Sequence, residues 1–317
     1  PRPAVGPGEL LVRVRACGLC GSDLMRWYQD PRAPMVMGHE PAGEVVEAGE
    51  GASHAIGARV FVHHHVPCMA CERCLAGRHT LCATFRETAL DPGGLSEYVR
   101  VPAPNAALDT LALPDDVDDV AATLIEPLGC ILRGQRWAGV GPGRTVAVVG
   151  AGSMGLLEIV AARAGGAERI VAIEPREDRR AVAAAMGALV TDRLDREAVS
   201  EAVGGDGADA VFVCTSKRQP IADSLHLAAP GGVVQLFAPT PPGELVGLDL
   251  GAIFFREVSL QSTYSAGPYD TRAALELLAA GSVELDAVVT HRLPLERVQE
   301  AFDLAGSGEA TKVVVEP

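Results

Sequence analysis

The strand-like run TVAVV at 145–149 passes directly into Gly150-Ala151-Gly152-Ser153-Met154-Gly155 and then into the helix-forming LLEIVAARA. Strand, glycine loop and helix in this order are the G-x-G-x-x-G fingerprint in the context it requires, and they commit the chain around them to a crossover unit on a parallel sheet. Gly150 allows the tight turn, Gly152 lets the backbone approach a pyrophosphate, and Gly155 lets helix and strand pack closely. A phosphate then rests on the helix N-terminus at Ser153 and Met154. The next strand, RIVAIE, ends at Glu174, 19 residues after Gly155. A carboxylate there accepts from both ribose hydroxyls and repels a 2′-phosphate, so the expected cofactor is NAD. Arg176, Arg179 and Arg180 leave a phosphate clamp for NADP as the less favoured alternative, and Arg179 is counted with the cofactor residues. Cys214, closing DAVFVCT, falls at the sheet edge where such folds bind ligands. It reads as a small cleft wall, because no histidine follows nearby to activate it.

The alternation continues after the glycine loop: REDRRAVAAAM, DAVFVCT, PIADSLHLAA, GVVQLF and VSLQSTY keep strand and helix in turn, which means right-handed crossovers on one parallel sheet. Residues 1 to about 125 read differently, as short β-branched strands such as LLVRV, AGEVVE and ARVFVHH broken by Gly and Pro. From about 265 come two more helices, TRAALELLAAG and LERVQEAFDLAG, and a terminal strand, KVVVEP. The expected class is α/β in three stretches: 1–127 mostly β, 128–264 the nucleotide-binding sheet, and 265–317 a tail returning to the first domain. A length of 317 residues suits two domains at about 150 each.

Apolar residues make up 48% and charged residues 21%, the composition of a folded chain. With 27 Lys and Arg against 41 Asp and Glu, a net charge of −14 and no basic cluster, a nucleic-acid partner is disfavoured. No apolar run approaches the roughly 18 residues of a membrane span, and PRPAVGPGEL carries neither a basic nor an apolar leader region. No membrane partner and a cytoplasmic location are expected. VSLQST, as the last strand of the parallel sheet, leaves an apolar edge that a second copy would cover, so a homodimer or homotetramer is expected.

Of eight cysteines, Cys68, Cys71, Cys74 and Cys82 are spaced C-x2-C-x2-C-x7-C within a lobe at 66–84. Four thiolates this close converge on one tetrahedral ion and leave no position for substrate, so a structural zinc is expected. His63, His64 and His65 precede the lobe as a strand whose alternate rings face opposite ways, so all three do not share an ion. His63 and His65 edge a cleft at most, and none is counted as a ligand.

Cys20-Gly21-Ser22-Asp23 and Gly38-His39-Glu40 bring a thiolate, an imidazole and a carboxylate within about twenty residues. A catalytic zinc takes three protein ligands and keeps one position open. Glu126 in LIEPLGC is the best further candidate, with Cys130 one helical turn later in reserve. Trp27, Tyr28 and Phe85 are candidate pocket walls.

Taken together, CGSD at 20–23, GHEPAGEVVEAG at 38–49, the four-cysteine lobe, GGLSEYVRVP at 93–102, IEPLG at 125–129, GAGSMG and THRLPLERVQEAF resemble the zinc-dependent medium-chain alcohol dehydrogenases, in the sorbitol and threonine dehydrogenase-like branch. The resemblance implies a mostly-β GroES-like catalytic domain plus a Rossmann doubly wound parallel sheet. It also implies two zinc ions per chain, and hydride transfer between NAD and a secondary alcohol of polyol, sugar or cyclitol type. Cys20 and His39 match the catalytic zinc ligands, Glu126 matches the glutamate of polyol-type members, and Glu40 matches a carboxylate that exchanges onto the metal. Ser22 matches the hydroxyl that begins proton removal. Met25 stands where many relatives carry a relay histidine, so the relay ends at Ser22 and the cofactor ribose or water. The chain starts at Pro1 just before LLVRVRA, and the N-terminal strand implied by the resemblance is not in it. The alternatives are a zinc-free quinone or enoyl reductase of the same superfamily and a non-catalytic NAD-binding protein.

Overall fold

The computed structural model describes residues 2–317. They form two compact units, one running to Gly129 and including Ser265–Gly281 and Val288–Pro317, the other comprising Cys130–Tyr264 and Ser282–Ala287. The early strands are β1 (Leu10–Gly18), β2 (Glu40–Ala48), β3 (Arg59–Val62), β4 (Tyr98–Val101) and β5 (Thr110–Ala112). Then follow β6 (Thr145–Val149), β7 (Arg169–Ile173), β8 (Leu189–Thr191), β9 (Ala208–Val213), β10 (Ala228–Leu236) and β11 (Ser259–Ser262). Last come β12 (Val289–Pro294) and β13 (Lys312–Glu316).

In the first unit a seven-stranded sheet runs β12-β13-β1-β2-β3-β5, with β4 also paired to β1. β1 is antiparallel to β2, β4 and β13. Its alternation places Leu10, Val12 and Val14 in one core with Val45, Val60, Val99, Val101, Val313 and Val315. Strand β13, the KVVVE of the tail, thus lies beside β1.

In the second unit a six-stranded sheet runs β11-β10-β9-β6-β7-β8, every pair parallel. This is the doubly wound order, reversing between β6 and β9, and open sheets of this kind bind ligands at that switch point. Both faces are covered: Val146, Val148, Ile170, Ala172 and Phe212 are buried, as are Ala147, Val149, Val171, Ile173 and Val211. That explains the unbroken apolar runs in these strands. Strand β8 gave no sequence signal. It has three residues at the sheet edge, with Leu189 and Val190 exposed, too short for a period to show.

Two local expectations are corrected. Strand β3 ends at Val62, and His63–His65 follow it through a bend, so successive rings do not alternate across a sheet. The His63 and His64 ring centroids are 5.1 Å apart, and those of His64 and His65 4.2 Å. Phe85 is no pocket wall: it is fully buried against Cys74 and Cys82 and touches the rings of His63 and His65. Among the described residues no helix is long and apolar enough to cross a membrane.

Candidate active site

The glycine loop closes the β6 strand as the spacing predicts. Gly150 has φ +98°, a left-handed conformation that a side chain resists. A Cβ on Gly155 would lie 1.8 Å from the Gly150 carbonyl oxygen, which is the close packing expected of the third glycine. A Cβ on Gly152 would meet only the Arg179 Nη1, at 3.9 Å, so that position is open to an approaching ligand. Ser153 and Met154 begin the helix Ser153–Ala164. Glu174 is buried at the end of β7, and its carboxylate is already engaged: Oε2 accepts from the Ala151 N–H at 2.8 Å and Oε1 from the Arg176 N–H at 3.0 Å. Glu174 therefore ties the glycine loop to the next strand end. Cys214 follows β9, its N–H bonded to Val149 O at 2.9 Å, and burial holds its thiol well above the ordinary range. A neutral thiol is a poor nucleophile.

The cysteine lobe is a set of tight turns: Cys71 caps the short helix Glu72–Leu75, Cys74 lies within it, and Cys82 opens the helix Ala83–Glu87. One sulfur from each of Cys68, Cys71, Cys74 and Cys82 lies within 4.8 Å of the others. Cys71 Sγ is 3.5 Å and Cys68 Sγ 3.9 Å from Cys74 Sγ. Metal–sulfur bonds of about 2.3 Å in a tetrahedron place sulfurs about 3.8 Å apart, so the lobe fits zinc. Burial opposes a charge on Cys82, but N–H groups of Cys68 and Phe85 outweigh it and draw the thiol down to about 6.

A second set of donors forms in the first unit. Cys20 precedes the helical turn Gly21–Leu24, and its N–H donates to Asp23 Oδ2 at 3.0 Å. The other Asp23 oxygen is 3.4 Å from His39 Nδ1, so one buried carboxylate orients both ligand candidates. Donor atoms of Cys20, His39 and Glu40 lie within 4.8 Å of one another. Glu40 is fully buried at the start of β2; its Oε2 pairs with the buried Lys312 ammonium and its Oε1 has no partner. Gly18, opposite Glu40 in the strand pairing, makes this possible: a Cβ there would lie 1.9 Å from Glu40 Oε2. Thiolate, imidazole and carboxylate with an orphaned buried oxygen suit a catalytic zinc.

Glu126, in the first turn of the helix Ile125–Ala138, groups with His63 and His64 instead. Its field still reaches Glu40 and Lys312. Cys130 is in neither group. Ser22 sits on the turn beside Cys20, and Trp27 and Tyr28 pack edge to face with centroids 5.8 Å apart. Sequence reading missed Asp23 and Lys312. Asp23 was visible only as part of CGSD, and Lys312 lies 272 residues from its partner with nothing local to mark it.

Comparison with known proteins gives this geometry its context. Residues 6–114 match the alcohol dehydrogenase GroES-like domain family and residues 153–280 the zinc-binding dehydrogenase family. The chain is 33% identical to an L-threonine 3-dehydrogenase of Bacillus velezensis, over 100% of this chain and 94% of that protein. A second, from Pyrococcus horikoshii, is 32% identical over 98% of this chain and 92% of that one. Among solved structures, a zinc-binding dehydrogenase of Sinorhizobium meliloti 1021 bound to NADP matches with a TM-score of 0.89 and 32% identity, covering 100% and 94% of the two chains. The 2R,3R-butanediol dehydrogenase of Bacillus subtilis matches with a TM-score of 0.86 and 27% identity over the same shares. The chain belongs to the zinc-dependent medium-chain alcohol dehydrogenases, within their threonine and sorbitol dehydrogenase-like branch.

Proposed function

We propose that the chain oxidises a secondary alcohol of polyol, sugar or cyclitol type reversibly to the ketone, with NAD as hydride acceptor, at Cys20, Ser22, His39 and Glu40. The observation that carries this reading is the convergence of three donors, one of them the unpartnered Glu40 Oε1. A zinc ion there supplies Lewis acidity, lowering the pKa of an alcohol oxygen toward neutrality. In this reading Cys20, His39 and Glu40 are the resting ligands, which reverses the roles the resemblance implies for the two carboxylates: Glu126, expected as the third ligand, becomes the one that exchanges with Glu40.

The residues' own work follows from their positions. Asp23 fixes the Cys20 backbone and faces His39 Nδ1, leaving Nε2 of that ring for the ion. Lys312 balances the charge of Glu40 where no water reaches it. Ser22 Oγ would receive the substrate's hydroxyl proton as its own proton passes to the cofactor ribose or water, because Met25 has no titratable group to take it onward. On the nucleotide side Gly150, Gly152 and Gly155 shape the loop for a pyrophosphate, Ser153 and Met154 present the helix N-terminus, and Glu174 excludes a 2′-phosphate by charge. A sulfur-only ion at Cys68, Cys71, Cys74 and Cys82 is structural.

Cys20→Ser and His39→Ala should each lower turnover about a thousandfold, since Lewis-acid catalysis is worth several kcal/mol, while NADH binding persists. Substantial activity remaining in both variants refutes the assignment.

A homodimer or homotetramer is part of the same reading. Strand β11 is a sheet edge with Leu260 exposed, and the nearby helix Leu250–Arg256 exposes Leu250, Phe254 and Phe255. Eight cysteines without a disulfide suit the reducing cytoplasm.

A further inference from the structure

Glu158 is the one ionisable side chain in the buried run Gly155–Ala162 of the dinucleotide helix, and the chemistry at Cys20, His39 and Glu40 makes no use of it. It is fully buried. Its Oε2 accepts from Gln135 Nε2 at 2.7 Å, and the same nitrogen donates to the Glu158 backbone carbonyl at 2.9 Å. Gln135, itself buried on the helix Ile125–Ala138, thus grips the residue by side chain and main chain at once. The other oxygen, Oε1, is buried with no partner. Since Oε2 is the acceptor, the proton of the neutral acid belongs on Oε1.

Nothing around the carboxyl offsets a charge. The strands packed against the helix, β6 and β7, bring one charged residue, Arg169, and it is exposed at the start of β7. Arg163, further along the same helix, is turned to Met186 O and Glu284 instead. The helix Ile125–Ala138 brings the uncharged Gln135 amide. After β9 comes Cys214, whose thiol is held neutral by burial and then by Glu158 itself. Burial accordingly keeps the Glu158 carboxyl protonated well above its ordinary range, against the pull of the Gln135 amide.

Both buried acids border the glycine loop. A Cβ on Gly150 would lie 3.5 Å from the Cys214 carbonyl oxygen. Glu158 lies one helical turn below Met154 and Gly155, five residues and about 7.5 Å along the axis from Ser153. The residues between are buried, so a charge at 158 acts on the pyrophosphate seat with little screening.

We propose that Glu158 makes dinucleotide binding proton-linked: the protonated carboxyl, gripped by Gln135, sets the helix Ser153–Ala164 for a pyrophosphate, and the ionised carboxylate repels it. This device rests on the dinucleotide reading of the glycine loop and uses none of the zinc-ligand candidates. Below the folded pKa the acid is neutral and the cofactor binds fully; as pH rises through it the proton is lost and affinity falls. Bound dinucleotide in turn opposes the ionisation, so binding within that pH range takes up a proton. Gln135 sets where the step falls: its N–H favours the ionised form, and without it the step moves to higher pH.

The test is NADH affinity of the intact chain, read by fluorescence titration between about pH 6 and pH 10. The parent should lose at least about tenfold in affinity across one alkaline step. Glu158→Gln, which keeps the shape and cannot ionise, should match the parent below the step and lack it. Gln135→Leu should keep the step and move it to higher pH, a shift that a merely structural role for the pair does not produce. Calorimetry in two buffers of different ionisation enthalpy should show up to about one proton taken up per NADH within the step by the parent, and none by Glu158→Gln. Superimposable profiles of the parent and Glu158→Gln overturn the proposal. So does a step that persists in Glu158→Gln and vanishes in Cys214→Ala, which assigns the proton to the thiol. A parent chain that binds no NADH at any pH fails earlier, at the glycine-loop reading itself, and the proposal falls with it.

Discussion

Gly152 and Gly155 are three residues apart in one loop, and the structure requires them to fail in opposite ways. A methyl at Gly155 would sit 1.8 Å from the Gly150 carbonyl oxygen and 2.9 Å from its carbon, against an ordinary contact near 3.5 Å. The helix Ser153–Ala164 or the loop must therefore shift by about 1.5 Å. Overpacking of this kind costs about 3 kcal/mol when backbone has to move. At roughly 2–4 °C per kcal/mol, Gly155→Ala should lower Tm by about 6–12 °C. A displacement of about an ångström beside the reacting cofactor should also lower kcat/KM about a hundredfold. Gly152 has φ −76° and ψ −169°, which alanine adopts freely, and its nearest neighbour is 3.9 Å away. Gly152→Ala should leave the fold intact, or stabilise it by about 0.4–1 kcal/mol through the unfolded chain, yet weaken dinucleotide binding by occupying the space left for the pyrophosphate. Thermal melts with NADH fluorescence titrations separate the two effects. Undiminished NADH affinity in Gly152→Ala would remove the pyrophosphate from this loop, and an unchanged Tm in Gly155→Ala would refute the packing argument.

Three further outcomes follow from buried groups. Glu174→Ala strips the acceptor from the buried Ala151 N–H, so it should cost about 1–3 kcal/mol of stability and narrow the preference for NAD over NADP; an unchanged preference takes Glu174 out of the cofactor site. Burial holds the Glu158 carboxyl well above its ordinary 4.5, against the Gln135 amide that donates to it at 2.7 Å. With the folded pKa raised, the stability contributed by the protonated form is complete below about pH 4.5 and is lost as pH rises through the folded pKa. Glu158→Gln should therefore raise Tm increasingly toward alkaline pH and leave it unchanged in acid, and a pH-independent difference would contradict this. Cys82→Ser should bind one zinc fewer than the parent chain and melt at lower temperature, as loss of a structural ion requires; full zinc content in the variant rules the lobe out as a four-sulfur site.

What the sequence discloses here depends on how far apart the cooperating residues are. The glycine loop and the cysteine lobe are short-range devices: four sulfurs within fifteen positions, or three glycines within six, can do their work only together, so spacing alone exposes them. The parallel sheet was legible for a related reason, because strands buried on both faces read as unbroken apolar runs. β8 escaped because an exposed edge strand of three residues has neither run nor period.

The polar interior of the first unit was legible only in part, since its pairs are made by the antiparallel sheet and not by local chain. Glu40 was visible beside His39, but nothing near position 40 points to Lys312, nor anything near Asp109 to Thr271, 162 residues on. The three histidines were misplaced because a β-branched run into HHH looks like continuing strand, whereas β3 stops at Val62 and the bend turns adjacent rings toward each other. Gly18 shows the same limit from the other side. As a lone glycine at a strand end it carries no message; once β1 and β2 are paired, it is the one residue opposite Glu40, where any side chain would displace the Glu40–Lys312 pair. Ligand identity in this chain is thus written locally, while the neutralisation and anchoring of those ligands is written in strand register.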